Sequence, residues 1–396
     1  MRPKKTTENI FFSLAVLNIF IMYAILLISK GKFVLALTYD ESNFCDFWSH
    51  INRLLFCNNI YTTDADAIFP PLAYLFLNLF AYPLSFKANT GDDLYTISHS
   101  GYGTLLVVMY ILLFAWLFMI SVHISYKTGT TLKKSALAGI LMFSYSIWGF
   151  AFERGNMVLF TMIFLMLGLT LRDSANKVMR EAGLIFLAIS AGFKLYPALF
   201  GFVWIAEKRY KEAARLILYG LTCFFLPFLF VDSFKNYLHT FTQYLNKKIY
   251  SHASIWGFVF HTFGDNKYTQ ILCKCLVIVI ILWALFLLFA DGVNWKTITL
   301  LMATQTTIIP EQYVYTYVYI IIPLIHFLNE SDHRKSDYIY AVLFACLFTM
   351  PPIWGGRGRL MVWIWAIILV MISADEALFL IKKGHKSVQK ENDSLI

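Results

Sequence analysis

Asp40, Glu41, Asp46, Asp64 and Asp66 stand against Arg53 in one stretch, YDESNFCDFWSHINRLLFCNNIYTTDADAIFPP, which runs from Tyr39 to Pro71. A carboxylate fixed on such a stretch can act as a general base, taking the proton of a hydroxyl that attacks within hydrogen-bond reach. Asp46 is the first choice. It sits in CDFWSH, beside Phe47 and Trp48, and an apolar-periodic NRLLF follows that reads as a short interfacial helix. With Tyr61 and the Pro70–Pro71 pair, these neighbours dock the loop onto a bilayer surface. Asp40 and Glu41 compete for the role, and a solvated loop acid is the plain reading of any lone aspartate. Glu41 and Tyr61 are candidates for contact with substrate.

Cations that could receive an anionic leaving group lie elsewhere. In FERGN (Phe152 to Asn156), Glu153 and Arg154 either pair with each other or hold a bound phosphate and substrate. Asn156 either orients a hydroxyl or caps the next helix. Lys194, in GFKLYP with Tyr196 and Pro197, is the only charge between Ala182 and Ala206; it either meets a lipid phosphate or snorkels to the interface. Arg357 and Arg359 stand beside three glycines in PPIWGGRGR, which has no nucleotide P-loop pattern. In KKIYSHASIWG, His252 and Ser254 are substrate candidates against the alternative of an ordinary basic loop. PEQYVYTYVY offers Glu311 and Tyr315 to a sugar, with Tyr313, Tyr317 and Tyr319 mostly an aromatic belt. Asp64 and Asp66 spell D-A-D, but on a loop placed outside, where nucleotide-sugars are absent, so no metal is expected. Neither HExxH nor CxxC occurs, and no cofactor is expected. Cys45 and Cys57 share the acidic stretch either as a disulfide or as free thiols.

The elements that must position these groups are membrane helices. Of 396 residues 59% are apolar and 14% charged, against roughly 25% charged in soluble domains. Mean hydropathy is +0.62. Apolar runs of roughly 20 residues recur from end to end, leaving no room for a soluble domain. The net charge of +9 falls in short loops and at the termini, a topology signal that removes nucleic acid as a partner. Arg2, Lys4 and Lys5 put the amino terminus in the cytoplasm and the acidic loop outside. The basic segments near Lys133, Arg180, Arg209 and Arg334 fall inside, as does the tail, so the acid, FERGN, GFKLYP and the Tyr and Arg-Gly segments share the outer face. The fold class is all-α, a polytopic bundle of about 12 spans in which Phe69 to Phe86 is re-entrant and Ala182 to Glu207 is two short helices meeting at GFKLYP. Residues 1–381 form one domain, with external loops at 31–68 and 232–268, and 382–396 form a cytoplasmic tail expected to be poorly ordered.

A loop Asp after helix one, a Tyr before an aromatic-Pro-Pro, an RGN junction and a K-x-Y-P element followed by EKRYKEAAR together resemble glycosyltransferase family 87, a GT-C group of membrane enzymes. The resemblance covers most of the first 215 residues. It implies Asp46 as catalytic base, and matches Phe69–Pro71, Gly155–Asn156, Lys194–Tyr196–Pro197 and Ser254 to family elements. Where members carry a Ser-Trp and paired histidines, this chain has Glu311, Gln312, Tyr313, Tyr315 and Tyr317. What the resemblance implies is inverting transfer of one sugar, hexose or pentose, from a polyprenyl-phosphate donor to a lipid-linked or envelope glycan, at the extracytoplasmic face of the cell membrane and in contact with membrane lipids. Arg154, Lys194, Arg357 and Arg359 would then bind the donor phosphate, and desolvation is expected to raise the Asp46 pKa. A lipid-linked glycan polymerase or ligase, or a flippase, are the competing functions.

Overall fold

The computed structural model describes residues 3–30, 44–61, 68–126, 130–143, 147–246, 251, 254–309, 313–331, 333–334, 336–348 and 357–393. Asp40, Glu41, Asp64, Asp66, Lys247, Lys248, His252, Glu311 and Gln312 lie outside the described residues, and of Arg357 and Arg359 only the backbone is described. Every regular element among the described residues is helical.

The chain runs α1 (Pro3–Ile28), α2 (Cys45–Phe56), α3 (Pro71–Ala81), α4 (Gly91–Ser98), α5 (Gly101–Ser125), α6 (Leu132–Phe143), α7 (Ile147–Arg154), α8 (Val158–Leu171) and α9 (Lys177–Phe193). It continues as α10 (Phe202–Ala206), α11 (Tyr210–Phe225), α12 (Phe234–Asn246), α13 (Ile255–Phe263), α14 (Lys267–Asp291), α15 (Trp295–Thr307), α16 (Ile321–Asn329), α17 (Asp337–Phe348) and α18 (Arg357–Asp393). Tight 3-10 turns at Tyr82–Phe86, Tyr196–Gly201, Leu226–Leu229 and Val314–Ile320 join some of them.

Among the described residues five stretches are long and apolar enough to cross a bilayer: Thr7–Ile25, Gly101–Ser125, Tyr210–Leu229, Lys267–Asp291 and Val362–Lys382. Their outer sides expose Leu112, Trp116, Val279, Leu282 and Phe286, which water would penalise and lipid would not. This is a membrane protein. The remaining apolar helices are shorter, Pro71–Phe86, Val158–Leu171, Tyr196–Ala206, Tyr315–Asn329 and Asp337–Leu347. Five long spans and five shorter apolar helices among the described residues do not by themselves confirm a count of about 12. One of the shorter helices is α8, whose residues from Val158 to Ile163 are buried on every side. A helix surrounded by protein need not be as long as the hydrocarbon is thick.

The expected break in Ala182 to Glu207 is present. α9 stops at Phe193, Lys194 is extended (φ −146°, ψ 134°), and the 3-10 turn from Tyr196 begins with Pro197 inside it. Pro197 has no N–H for the Phe193 carbonyl, so α9 cannot run through it. At α3 the Pro pair works the other way: Pro71 occupies the first helical position, where its missing donor costs nothing.

The polar stretch after Val231 forms α12, and the acidic residues after Phe86 form α4, started by a reciprocal Thr90–Asp93 capping box. α18 continues into the tail as far as Asp393, because adding turns to a helix already nucleated by a span is cheap. Cys45 and Cys57 are both free thiols. They lie at opposite ends of α2, about 18 Å apart along its axis at 1.5 Å per residue, beyond the reach of a disulfide.

Candidate active site

Two left-handed residues make the junction on which the site is built. Phe44 (φ 55°) turns the chain into α2, and its N–H donates to the Glu153 carbonyl at 2.5 Å. Gly155 (φ 60°) turns the chain out of α7. A Cβ at Gly155 would lie 2.5 Å from Phe44 Cδ1 and 2.8 Å from Phe47 Cβ, so only glycine lets the two turns touch. Tyr110, buried in α5, donates its hydroxyl to the carbonyls of Gly155 (3.0 Å) and Asn156 (3.2 Å). Its ring meets Phe44, Phe47 and Phe160 edge to face at 5.8, 5.2 and 5.1 Å. The first turn of α2 is thereby fixed against the end of α7.

That contact brings Asp46 to Arg154 across 108 residues of sequence. Arg154 grips the carboxylate with both arms, Nε to Oδ2 at 3.0 Å and Nη2 to Oδ1 at 2.6 Å. Asn156 Nδ2 donates to Oδ2 at 2.6 Å, while its Oδ1 accepts from the Val158 N–H at 2.9 Å. Asn156 thus holds the acid while accepting from the first N–H of α8, and Arg154 takes Asp46, not Glu153, as its ion-pair partner. Burial acts to raise the Asp46 pKa, but the Arg154 hydrogen bonds and charge, with the Asn156 amide, outweigh it and hold the carboxyl below its ordinary range. The expected upward shift is corrected: the partner charge beats desolvation.

Lys194 lies inside the protein and does not snorkel. Its ammonium is 5.0 Å from the Phe69 ring centroid, 5.7 Å from Tyr315 and 5.9 Å from Tyr196. Among the described residues no carboxylate pairs with it, although Asp46 is within electrostatic reach. Burial pushes the Lys194 pKa down to about 8, Asp46 opposing and Arg154 reinforcing the shift. Phe69 is held in turn. Tyr61 donates its hydroxyl to the Phe69 carbonyl at 2.9 Å, and the His50 ring lies over Phe69 at 4.4 Å. The Arg154 guanidinium is 5.6 Å from the Tyr313 ring and 6.0 Å from Tyr315. Tyr196 is fixed by Gln305, which donates to its carbonyl at 2.8 Å, and its hydroxyl meets that of Tyr319 at 3.4 Å.

Asp46, Arg154, Asn156, Lys194, Tyr196 and Tyr315 therefore meet in one place, contributed by α2, the α7–α8 turn, the break after α9 and the 3-10 turn before α16. Among the other described candidates, Tyr61 and Ser254 serve elsewhere. Tyr61 spends its hydroxyl on Phe69 and its N–H on Asp232 (3.0 Å), supporting the site from behind. Glu153 is buried and lends its backbone carbonyl to Phe44. Ser254 caps α13, accepting from the Gly257 N–H at 3.0 Å and donating to the Ser251 carbonyl at 2.8 Å. It rims a separate apolar groove of about 390 Å³ lined by Phe258, Trp283, Trp363 and Trp365. Tyr317 and Tyr319, expected in an aromatic belt, are wholly buried, because the 3-10 turn carries them inward against α7, α8 and α15.

Tyr110, Phe44, His50 and Gln305 were not among the sequence candidates. Only His50 carried a signal, four residues after Asp46 on the same helix face.

The sequence model of glycosyltransferase family 87 matches residues 68–309. Arg154, Asn156, Lys194 and Tyr196 fall within the match, whereas Asp46 and Tyr315 lie on either side of it. No curated protein and no solved structure matches the chain.

Proposed function

The chain belongs to glycosyltransferase family 87, and from that premise we propose that it moves one sugar, hexose or pentose, from a polyprenyl-phosphate donor to a lipid-linked or cell-envelope glycan acceptor. Transfer takes place at the extracytoplasmic face of the cell membrane, with Asp46 as general base. The observation that carries this reading is the meeting of one carboxylate with two cations, one of them, Lys194, buried with no carboxylate beside it among the described residues.

The formal charges balance through the reaction. Asp46, Arg154 and Lys194 sum to +1, and a polyprenyl phosphodiester brings −1. The acceptor hydroxyl oxygen bonds to the sugar C1 as the bond from C1 to the phosphate oxygen breaks. The electron pair leaves with the phosphate, and the hydroxyl proton passes to Asp46. Neutral Asp46 with two cations then sums to +2 against a phosphate monoester of −2. Cations placed where charge develops on the leaving group stabilise the transition state more than the ground state. Attack opposite the leaving group inverts C1. Tyr315 and Tyr196 present ring faces and hydroxyls to the sugar, and Arg357 and Arg359 are further candidates for the donor phosphate. The apolar groove rimmed by Ser254 has the chemistry of a seat for an isoprenoid chain.

Purified protein in proteoliposomes with a radiolabelled polyprenyl-phosphate sugar tests the reading. Asp46→Asn should lower transfer by about 10²- to 10⁴-fold, the usual worth of general base catalysis. Undiminished transfer by that variant overturns the base assignment. Movement of the lipid-linked sugar across the bilayer with no sugar joined overturns the enzyme chemistry in favour of a flippase.

A further inference from the structure

Arg154 has two duties that it cannot perform at once. The resting structure has both guanidinium arms on Asp46, whereas the reaction needs cationic donors on the departing phosphate. A carboxylate clasped by two charged hydrogen bonds and an amide is also a poor base, because its lone pairs are engaged and its negative charge is already compensated. We propose that Arg154 is handed from Asp46 to the donor phosphate in each cycle, so that the base is unmasked only when the donor is in place. This rests on the transfer reaction proposed above.

Three features of the geometry make the exchange workable. First, the two carboxylate oxygens are held unequally. Oδ2 accepts from Arg154 Nε and from Asn156, whereas Oδ1 accepts from Arg154 Nη2 at 2.6 Å and, among the described residues, otherwise only from the Cys45 thiol at 3.6 Å. When Arg154 leaves, Asn156 keeps the carboxylate in position through Oδ2, and Oδ1 becomes the oxygen free to take a proton. Asn156 does not follow, since its own oxygen is fixed to the Val158 N–H.

Second, the guanidinium has a path. Its side chain is 27% exposed against 15% for Asp46, and it lies within 6.0 Å of both the Tyr313 and the Tyr315 ring centroids. The Lys194 ammonium shares the Tyr315 ring at 5.7 Å. A guanidinium swinging across Tyr315 toward Lys194 keeps an aromatic face beneath it throughout.

Third, the exchange follows the charge. Two cations and one anion leave +1 at rest, which repels an extra cation and attracts a phosphate. A phosphate beside Lys194 gives Arg154 a bidentate partner of equal kind to Asp46. As the proton reaches Asp46, the carboxylate ceases to compete. Without donor, Asp46 stays paired and does not deprotonate stray hydroxyls.

Among the described residues the groups that face Asp46 are Arg154 and Asn156 from the α7–α8 turn, Cys45 and His50 from α2, Tyr110 from α5, Lys194 after α9 and Tyr315 from the turn before α16. Arg154 is the one whose removal changes the Asp46 titration most, since it supplies both the hydrogen bonds and the nearest charge.

The pH profile of transfer tests the exchange. Asp46 must be ionised to act, so rate is lost as pH falls through its pKa. The kcat/KM profile reports the donor-free enzyme, in which Arg154 holds that pKa down; kcat reports the donor complex, in which Arg154 has gone. The acid limb of kcat should therefore lie above that of kcat/KM, by about one to three pH units, the effect of one adjacent opposite charge. In Arg154→Gln the two limbs should coincide, with donor KM raised, and Arg154→Lys should restore part of the separation. Coincident limbs in the unaltered protein, or a separation that persists in Arg154→Gln, would sink the exchange. The wild-type comparison stands whether or not the variant folds. An inactive Asp46→Asn together with coincident limbs removes only the exchange, whereas an active Asp46→Asn removes the base assignment beneath it.

Discussion

Replacing Gly155 with alanine adds one methyl group, and the structure says where it goes. At φ 60° an alanine is in the left-handed region, which costs roughly 1–2 kcal/mol. The methyl would sit 2.5 Å from Phe44 Cδ1, 3.1 Å from Phe44 Cε1 and 2.8 Å from Phe47 Cβ. Phe44 and Phe47 cannot yield freely, since both pack on the Tyr110 ring, and Phe44 is tied by its N–H to the Glu153 carbonyl. Overpacking of this kind costs a further 1–3 kcal/mol, roughly. The total of about 2–5 kcal/mol is relieved most easily by lifting the first turn of α2 away from the α7–α8 turn. Asp46 lies between Phe44 and Phe47, so it moves with them by something near the overlap, on the order of 1 Å. A displacement of that size at a reacting group costs about 10²-fold in rate. Transfer from a polyprenyl-phosphate sugar, measured per mole of folded protein with thermal unfolding followed in the same detergent, should show this loss in kcat with little change in donor KM. Wild-type kcat in Gly155→Ala would refute the view that the close Phe44–Gly155 contact sets the position of the acid.

Other substitutions separate the remaining parts. Lys194→Met removes a charge-assisted contact to phosphate worth about 1.5–3 kcal/mol, so donor KM should rise about 10- to 100-fold. Since the Lys194 ammonium is lost as pH rises through about 8, the unaltered protein should show a basic limb in kcat/KM near that value, which Lys194→Arg shifts upward. Tyr110→Phe leaves the Gly155 and Asn156 carbonyls without their side-chain donor, costing about 1 kcal/mol, and transfer should fall by about tenfold or less. Lys296 pairs with Glu376 at 3.1 Å and Asp375 at 3.3 Å on the far end of α15 from Thr307; Lys296→Met should lower stability by about 3 kcal/mol, the low end for a broken buried pair, while transfer per folded molecule is unchanged. Thermal unfolding and transfer assays on the same preparations check both halves.

The apolar runs, the Pro pair and the lone Lys194 were readable because each is a local signal: hydropathy over a window, a residue without an N–H, a charge with no charged neighbour. From these come the helical fold and the break after α9, and all six convergent residues stood among the sequence candidates. What could not be read was which of several polar groups touch. Arg154 and Asp46 are separated by 108 residues, and FERGN offered Glu153 as a nearer partner. Nothing local distinguishes Tyr110 from the other aromatic residues of a helix that is apolar throughout. The direction of the Asp46 shift failed for the same reason, since desolvation can be guessed from the surrounding composition but a bidentate guanidinium cannot. The crossing count could not be read from the sequence, because hydropathy does not tell a helix enclosed by protein from one bathed in lipid.

The acid arrives on α2, ahead of the stretch that matches the family, while both cations arrive within it. Under the proposed chemistry the acid serves the incoming hydroxyl and the cations serve the departing phosphate, so the two substrates are handled by separate lengths of polypeptide pressed together at a single seam. Exchanging the residues around α2 for those of a relative should change which acceptor is glycosylated and leave the choice of carrier lipid alone.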